Sequence, residues 1–470
     1  MAETPLPDIQ AIYEAQRQRR WQQAATTAEA RRGRLRALLE ALLARREEAH
    51  AALAADFRKA PAETDLTEVY PVVTEIRQAI RHLDRWMRPR RAATPLAFLG
   101  SSASVRPEPK GVVLIISPWN YPLLLSLGPL VSAVAAGNCA ILKPSEHTPA
   151  TNAFLRSLVA SVFPPAEAAV VEGAVATAQA LLDLPFDHVF FTGSPAVGRV
   201  VMAAAARHLA SVTLELGGKS PVLVDADADL ERAAERIAWG KFINAGQTCV
   251  APDHVLVHER VHDAFLLALE RAVRRAYGET PEARKASPDF PRIITGAHLD
   301  RLRGLLAPPC GRIVLGGEWD AAERYLAPTL VADVPPESPL LREEIFGPIL
   351  PVVRVPSMEA AVEAVNARPK PLALYVFAGS RSRAEALLSW TTSGGGCIGD
   401  TVLHFAHPHL PAGGVGPSGF GKAHGHHGFL AFSNERGVLR QWTPLAPIRL
   451  MYPPYTGLVR RLVDLTLKWF

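Results

Sequence analysis

Between residues 112 and 277, short apolar runs alternate with helical stretches, and this alternation limits the fold more than any other feature of the chain. Val112–Ser117 is a β-branched run with the length of a buried strand. Leu123–Ala136 reads as helix, Ala140–Leu142 as strand and Asn152–Val162 as helix. Val170–Val171, Gln179–Leu182 and His188–Thr192 continue the pattern, which resumes over Pro221–Val224, Leu230–Ile243, Val255–Val257 and Val261–Tyr277. Alternating strands and helices form βαβ units and parallel sheets, so two α/β domains in series are expected. Upstream, residues 8–56 read as helix, with Leu35, Leu38, Leu39, Leu42 and Leu43 at helical spacing. A second helical stretch covers about 66–87, and Thr94–Pro109 reads as a connection with one or two strands. There is no internal repeat and no low-complexity segment.

The 470 residues suffice for two or three domains at roughly 150 each. With 48% hydrophobic and 21% charged residues the chain is globular. Its mean hydropathy of +0.08 is too low for a multi-span membrane protein. The long uncharged stretch Gly111–Leu142 is interrupted by Pro118, Asn120, Pro122, Gly128 and Pro129, which argues against a spanning helix. The net charge of +5 gives no reason to expect nucleic acid as a partner. The early arginines, Arg17 to Arg34, are interspersed with glutamates and read as solvated helix faces. Four cysteines, Cys139, Cys249, Cys310 and Cys397, form no C-x-x-C pair and are too sparse for a disulfide scaffold. The Met1–Pro5 start lacks a signal peptide's basic and apolar regions, so a reducing cytoplasm is the expectation.

Five places carry candidate chemistry. Gly193-Ser194 ends a strand and opens a helix, where backbone approach, a serine cap and free N–H groups suit a phosphate; a plain strand–helix turn is the alternative. Lys143-Pro144-Ser145-Glu146 ends another strand, where a lysine and a carboxylate suit ribose hydroxyls, or form a surface pair. Cys249, in Gly246-Gln-Thr-Cys249, follows a helix interrupted by Gly246 and sits on a loop. A free thiol titrates near 8.5 and is a few per cent thiolate at neutral pH, enough for a nucleophile. Cys139 and Cys310 read as packing, and Cys397, beside three glycines, is the rival nucleophile. Glu215 lies at an apolar strand end, where burial would poise it as a base or Lys219 would pair with it. Asn120, after Pro118-Trp119, offers an N–H donor to an oxyanion, or simply turns the chain.

In chain order, Trp119-Asn120, Lys143-Pro-Ser-Glu146, Gly193-Ser194, Glu215, Cys249 and Glu344-Ile-Phe346-Gly-Pro348 closely resemble the aldehyde dehydrogenase superfamily, over about residues 30–440. Its most specific parts are Leu214-Glu-Leu-Gly-Gly-Lys-Ser-Pro221 and Gly246-Gln-Thr-Cys249. The nearest branch resembles the class 3 and fatty aldehyde dehydrogenases, on Ile237–Phe242, Cys249–Asp253 and Lys370–Tyr375. The resemblance implies that Cys249 attacks an aldehyde. Asn120 and the Cys249 backbone would hold the oxyanion, and Glu215 would activate the water that hydrolyses the thioester. It further implies an NAD(P) site. Lys143 and Glu146 would take the adenosine ribose, Trp119 and Ser194 the pyrophosphate, and Glu344 and Phe346 the nicotinamide ribose and ring. Ser145, Gly193, Gly198, Leu216 and Gly217 complete that set.

The implied architecture is a Rossmann-like cofactor domain (1–89 and 105–217), an α/β catalytic domain (218–400), and a small β bridging extension (90–104 and 401–446). A C-terminal tail (447–470) follows. A homodimer is expected, with NAD preferred and NADP tolerated because Glu146 repels a 2′-phosphate. Departures lie at Ala412, Ala423 and Asn434, where the family usually has Phe, Tyr and His. Cys397 and Asp400 fall in a loop that lines the substrate entrance in relatives. His404, His407, His409, His424, His426 and His427 have no metal-site spacing, and the resemblance needs no metal. A CoA-acylating enzyme and a non-catalytic relative are the rivals; Glu215 and the intact Cys249–Asn120 pair count against them. Residues 456–470 fit one amphipathic helix, with Leu458, Leu462, Leu465 and Trp469 on one face. Packing on a partner subunit or gating the entrance is preferred to membrane docking.

Overall fold

The computed structural model describes residues 3–95, 98–443 and 447–469. Residues 1–2, 96–97, 444–446 and 470, and the side chains of Pro447 and Trp469, lie outside it, and with them parts of the expected domain stretches and the end of the tail.

Two mainly parallel sheets organise the chain. The first runs in the order Gly419–Phe420, Ser211–Glu215, His188–Thr192, Val112–Ile116, Cys139–Lys143, Ala168–Val170. All its pairs are parallel except the one made by Gly419–Phe420. Val112–Ile116 and Cys139–Lys143 are buried at every residue, which explains their unbroken apolar reading. From Val112–Ile116 the chain first builds outward on one side, then returns to its other side at His188–Thr192. Strand order reverses there, and a crevice opens beyond the carboxyl ends of both strands. The loops at that crevice carry Trp119-Asn120 and Gly193-Ser194.

The second sheet runs Arg312–Leu315, Thr329–Ala332, Ile349–Val355, His254–His258, Pro221–Val224, Ala373–Phe377, Gly395–Ile398, with the first strand antiparallel. A third, antiparallel sheet joins Arg90–Ala92, Ser101–Pro109 and Ser433–Gln441 into a largely exposed arm. Within 401–446, Gly419–Phe420 belongs to the first sheet, and the helix Gly425–Ala431 packs on the helices Tyr70–Met87 and Leu124–Ala136.

The N-terminal helical stretch is three helices, Leu6–Ala24, Ala28–Ala44 and Arg46–Phe57. The first break falls where Thr27 caps the second helix by accepting the Ala30 N–H at 3.2 Å. Alanine and arginine surround it, so periodicity alone does not show it. The helical stretch expected over about 66–87 is present and starts earlier: Pro61–Thr64 leads through a wider π-type segment, Asp65–Val69, into Tyr70–Met87 without a break.

Candidate active site

The loop that presents Cys249 is built under strain. After the helix Leu230–Phe242, Asn244, Ala245 and Gly246 take φ values of +52°, +51° and +71°. Left-handed backbone at a non-glycine residue costs roughly 1–3 kcal/mol and persists only where neighbours hold it. Here they do. The Asn244 N–H donates to Glu63 at 2.9 Å, and Asn244 Nδ2 donates to the Asn120 carbonyl at 2.8 Å. The Gln247 amide donates to the carbonyls of Asn244 (3.0 Å) and Arg292 (3.1 Å) and accepts the Ile294 N–H at 3.0 Å. A Cβ at position 246 would run into the Gly347 carbonyl, so only glycine fits.

Asn120 is held with equal care. Its Nδ2 donates to the Gln247 carbonyl at 3.1 Å. The helix that follows starts on the Glu68 carboxylate, which accepts the N–H groups of Leu123 and Leu124 at 3.0 Å each. Glu68 is itself fixed by a fully buried Lys59, 2.9 Å away.

Cys249 lies half-buried where two cavities meet. The first, of about 270 Å³, is lined by Trp119, Asn120, Gly193, Ser194, Glu215, Leu216, Gly217, Glu344 and Phe346. It runs from the start of the helix Pro195–Ala206, capped by Ser194, to the thiol. Gly198, one turn into that helix, lets it sit on Leu216: a Cβ there would come within 2.7 Å of the leucine. At Gly217 a Cβ would collide with the Glu344 carboxylate. A helix N-terminus, two close-approach glycines, a buried carboxyl and aromatic walls from Trp119 and Phe346 fit a nicotinamide dinucleotide.

The second cavity, about 190 Å³, is lined by Leu66, Tyr70, Tyr121, Leu124, Leu125, Trp239, Ile243, Val402, Leu403 and Phe405, among others. No aspartate, glutamate, lysine or arginine lines it.

Two ionisation findings shape the chemistry. Burial pushes the Glu215 carboxyl up to about 7, and neither of its oxygens has a hydrogen-bond partner in the protein. The alternative pairing with Lys219 is overturned, because Lys219 binds Asp253 and the carbonyls of Leu340 and Glu343. Burial, followed by the charges of Glu344 and Glu215, pushes the Cys249 thiol up to about 12. The expected few per cent of thiolate, taken from an exposed thiol, therefore does not hold in this site: the thiol is neutral until its proton is taken.

The structure thus brings Cys249, Glu215 and Asn120 to one cavity wall, with Trp119, Gly193, Ser194, Leu216, Gly217, Glu344 and Phe346. Lys143, Ser145 and Glu146 sit outside that wall, at the carboxyl end of the neighbouring strand. Lys143 pairs with Glu146 at 3.2 Å, and the Ser145 hydroxyl accepts the His147 N–H. Cys139 and Cys310 are buried, and Cys397 lies 3.4 Å from His404 Nδ1, away from the walls that hold Cys249. Asp400 pairs with Arg236, and just after it Val402, Leu403, Phe405 and Ala406 line the second cavity. Among the described residues no group of three or more His, Cys, Asp or Glu could hold a metal ion.

His298 and Arg301 were not legible as site residues, yet both line the cofactor-shaped cavity. His298 Nε2 contacts the Phe346 carbonyl at 2.8 Å, and Arg301 bonds the Ile345 carbonyl. Both sit on Gly296–Leu305, an ordinary amphipathic helix whose pattern carries no chemical signal.

A thiol set between a nucleotide-shaped cavity and an apolar one suits an oxidoreductase that attacks its substrate covalently. The chain belongs to that class, as a member of the aldehyde dehydrogenase family, whose sequence model matches residues 6–438. It is 44% identical over 432 residues to rat aldehyde dehydrogenase family 3 member B1, covering 92% of this chain and 91% of the relative. It is 42% identical over 427 residues to the 4,4'-diaponeurosporen-aldehyde dehydrogenase of Staphylococcus aureus, covering 91% and 92%. The solved substrate-bound structure of Staphylococcus aureus AldH superposes with a TM-score of 0.93 at 40% identity, over 97% of this chain and 99% of that one. The protein is an NAD(P)-dependent aldehyde dehydrogenase, resembling class 3 enzymes, that oxidises a small-molecule aldehyde to its acid.

Proposed function

We propose that the protein oxidises medium- or long-chain aliphatic and aromatic aldehydes, prefers NAD, and uses Cys249, Asn120 and Glu215 in sequence. The observation that carries this reading is the position of Cys249 between the mainly apolar cavity and the cavity lined by Glu344 and Phe346. As its sulfur adds to the aldehyde carbon the thiol gives its proton to water in the site, leaving the oxyanion form of a thiohemiacetal. The Asn120 amide and the Cys249 N–H stabilise the oxyanion. Glu344 and Phe346 would hold the nicotinamide of an oxidised dinucleotide, which would supply the acceptor for the hydride lost from the aldehyde carbon. A thioester remains on Cys249. Glu215 then takes one proton from water, whose oxygen attacks the thioester carbonyl; the C–S bond breaks, the water's second proton returns Cys249 to the thiol, and the product leaves as the carboxylate. An unpaired carboxyl with a pKa of about 7 is poised for that proton transfer. Its place at the thioester also favours hydrolysis over transfer to CoA.

Glu146, beyond the strand that neighbours the crevice, supports NAD preference, since a carboxylate there favours a ribose hydroxyl over a phosphate. The three-stranded arm of 90–92, 101–109 and 433–441 suits a bridge to a second subunit, in a homodimer of the cytoplasm. An aldehyde panel run with both cofactors tests the reading. kcat/KM should rise with apolar chain length and be higher with NAD. A preference for short charged aldehydes would overturn the substrate class, and strong NADP preference the cofactor assignment.

A further inference from the structure

Behind Glu215 lies a third cavity, of about 30 Å³, room for one or two waters. Its ionisable walls are Glu215, Glu75 and His424. Thr192 also faces it, with a buried hydroxyl that has no protein partner. A water here has several polar partners, as a stable buried water requires.

His424 is placed with unusual constraint. Its backbone is left-handed at φ +70°, and its ring rests edge-on against Phe405 at 5.0 Å. Glu75 accepts the Gly425 N–H with one oxygen at 2.8 Å and meets His424 Nδ1 with the other at 3.3 Å. Nε2 is then the nitrogen left for the cavity. Burial alone would depress this imidazole, but the Glu75 carboxylate outweighs it and raises its pKa above the ordinary value. Lys422, the nearby cation, spends its ammonium on the carbonyls of Gly413 (2.6 Å) and Gly414 (3.2 Å). Cys249 shares with Glu215 the lining of the cofactor-shaped cavity.

Each turnover leaves Glu215 with a proton that it must lose. During hydrolysis the acyl chain fills the apolar cavity, and the dinucleotide site shares the remaining wall. The small cavity is a separate space that adjoins both, sharing Glu215 with one and His424 with the other.

We propose that His424, held by Glu75, is the proton acceptor of Glu215. The proton that Glu215 takes from the attacking water passes through water in the small cavity to His424 Nε2, while the Glu75 carboxylate balances the imidazolium. The imidazolium then releases that proton to solvent once the product acid has left the apolar cavity, which His424 also lines. This rests on the reading of Glu215 as the hydrolytic base. His424 and Glu75 are positioning and relay residues, since they act through Glu215.

The test separates acylation from hydrolysis. In His424→Gln and Glu75→Gln, the initial burst of NADH should persist at its wild-type rate. Decay of the acyl-enzyme should slow about tenfold or more, with the acidic limb of its pH profile moved upward. His424→Gly fits the left-handed backbone and leaves room for free imidazole, which should restore acyl-enzyme decay. Glu215→Gln should burst, decay slowly and gain nothing from imidazole. Wild-type decay with an unshifted pH profile in the His424 and Glu75 variants would overturn the relay alone. A lost burst in folded His424→Gln would also overturn it, by placing His424 before hydride transfer. Wild-type decay in Glu215→Gln would sink the base assignment and the relay together.

Discussion

At the scale of single residues, the site separates two buried acids of different use. Cys249 is a neutral thiol near 12, so its reactivity depends on neighbours rather than on intrinsic acidity. Cys249→Ser should keep cofactor binding and lose dehydrogenase activity by several orders of magnitude, because a hydroxyl is a far poorer nucleophile than sulfur. Fluorescence titration with NADH and a turnover assay check both halves; near-normal turnover would return the nucleophile role to Cys397 or another group. Glu215 must be ionised to act. Its pKa of about 7, raised by burial, places the acidic limb of hydrolysis near that pH, with the rate falling as pH drops and the carboxylate protonates. A limb at the ordinary carboxylate value would show that Glu215 is not the base. Glu146→Gln should narrow the NAD-over-NADP ratio in kcat/KM, since in the proposed placement it removes a carboxylate that would repel the 2′-phosphate; an unchanged ratio would remove Glu146 from cofactor choice.

At the scale of elements, the strained turn Ile243–Gly246 is the piece on which the nucleophile depends. Gly246→Ala forces a side chain into left-handed backbone and against the Gly347 carbonyl. We expect a loss of about 1–3 kcal/mol in stability and a larger proportional loss of kcat than of cofactor affinity. Thermal unfolding with parallel kinetics checks this, and unchanged values in both would show that the loop is not under constraint. The same elements explain what the sequence disclosed. Strands such as Val112–Ile116 were legible because both faces are buried and every residue is apolar. Gly193, Glu215 and Cys249 were legible because their residue types are unusual for a strand end or loop. Gly395–Ile398 was not, since three of its four positions carry little side-chain pattern of strand type. The breaks at Ala25–Thr27 and Arg45 were hidden in good helix formers. His298 and Arg301 reach the cavity from a helix face that any amphipathic helix would show. The Glu75–His424 pair joins residues 349 positions apart, a contact that only the fold creates.

At the scale of the molecule, the C-terminal tail is the part whose surroundings matter most. The helix Gly457–Trp469 packs on the preceding turn Pro447–Met451, and no residue of either lines the chain's own substrate cavity. Val459 is buried, but Leu458 (66% exposed), Leu465 (58%) and Leu467 (79%) are not, nor are Leu450, Tyr452 and Tyr455. An apolar surface of this kind marks a contact with something outside the single chain. Among the described residues no helix is long and apolar enough to cross a membrane. A single short helix with Arg460, Arg461 and Lys468 holds a membrane surface only marginally. We propose a second subunit as that surface, with the tail lying over the partner or its substrate entrance in the proposed dimer. Deleting residues 456–470 should weaken the dimer and alter the preference for long aldehydes, while the full-length protein fails to float with anionic liposomes. Ultracentrifugation, the aldehyde panel and flotation measure the three effects. Unchanged assembly and chain-length preference, with flotation by the full-length protein that the deletion abolishes, would replace the subunit by a lipid surface as the tail's partner.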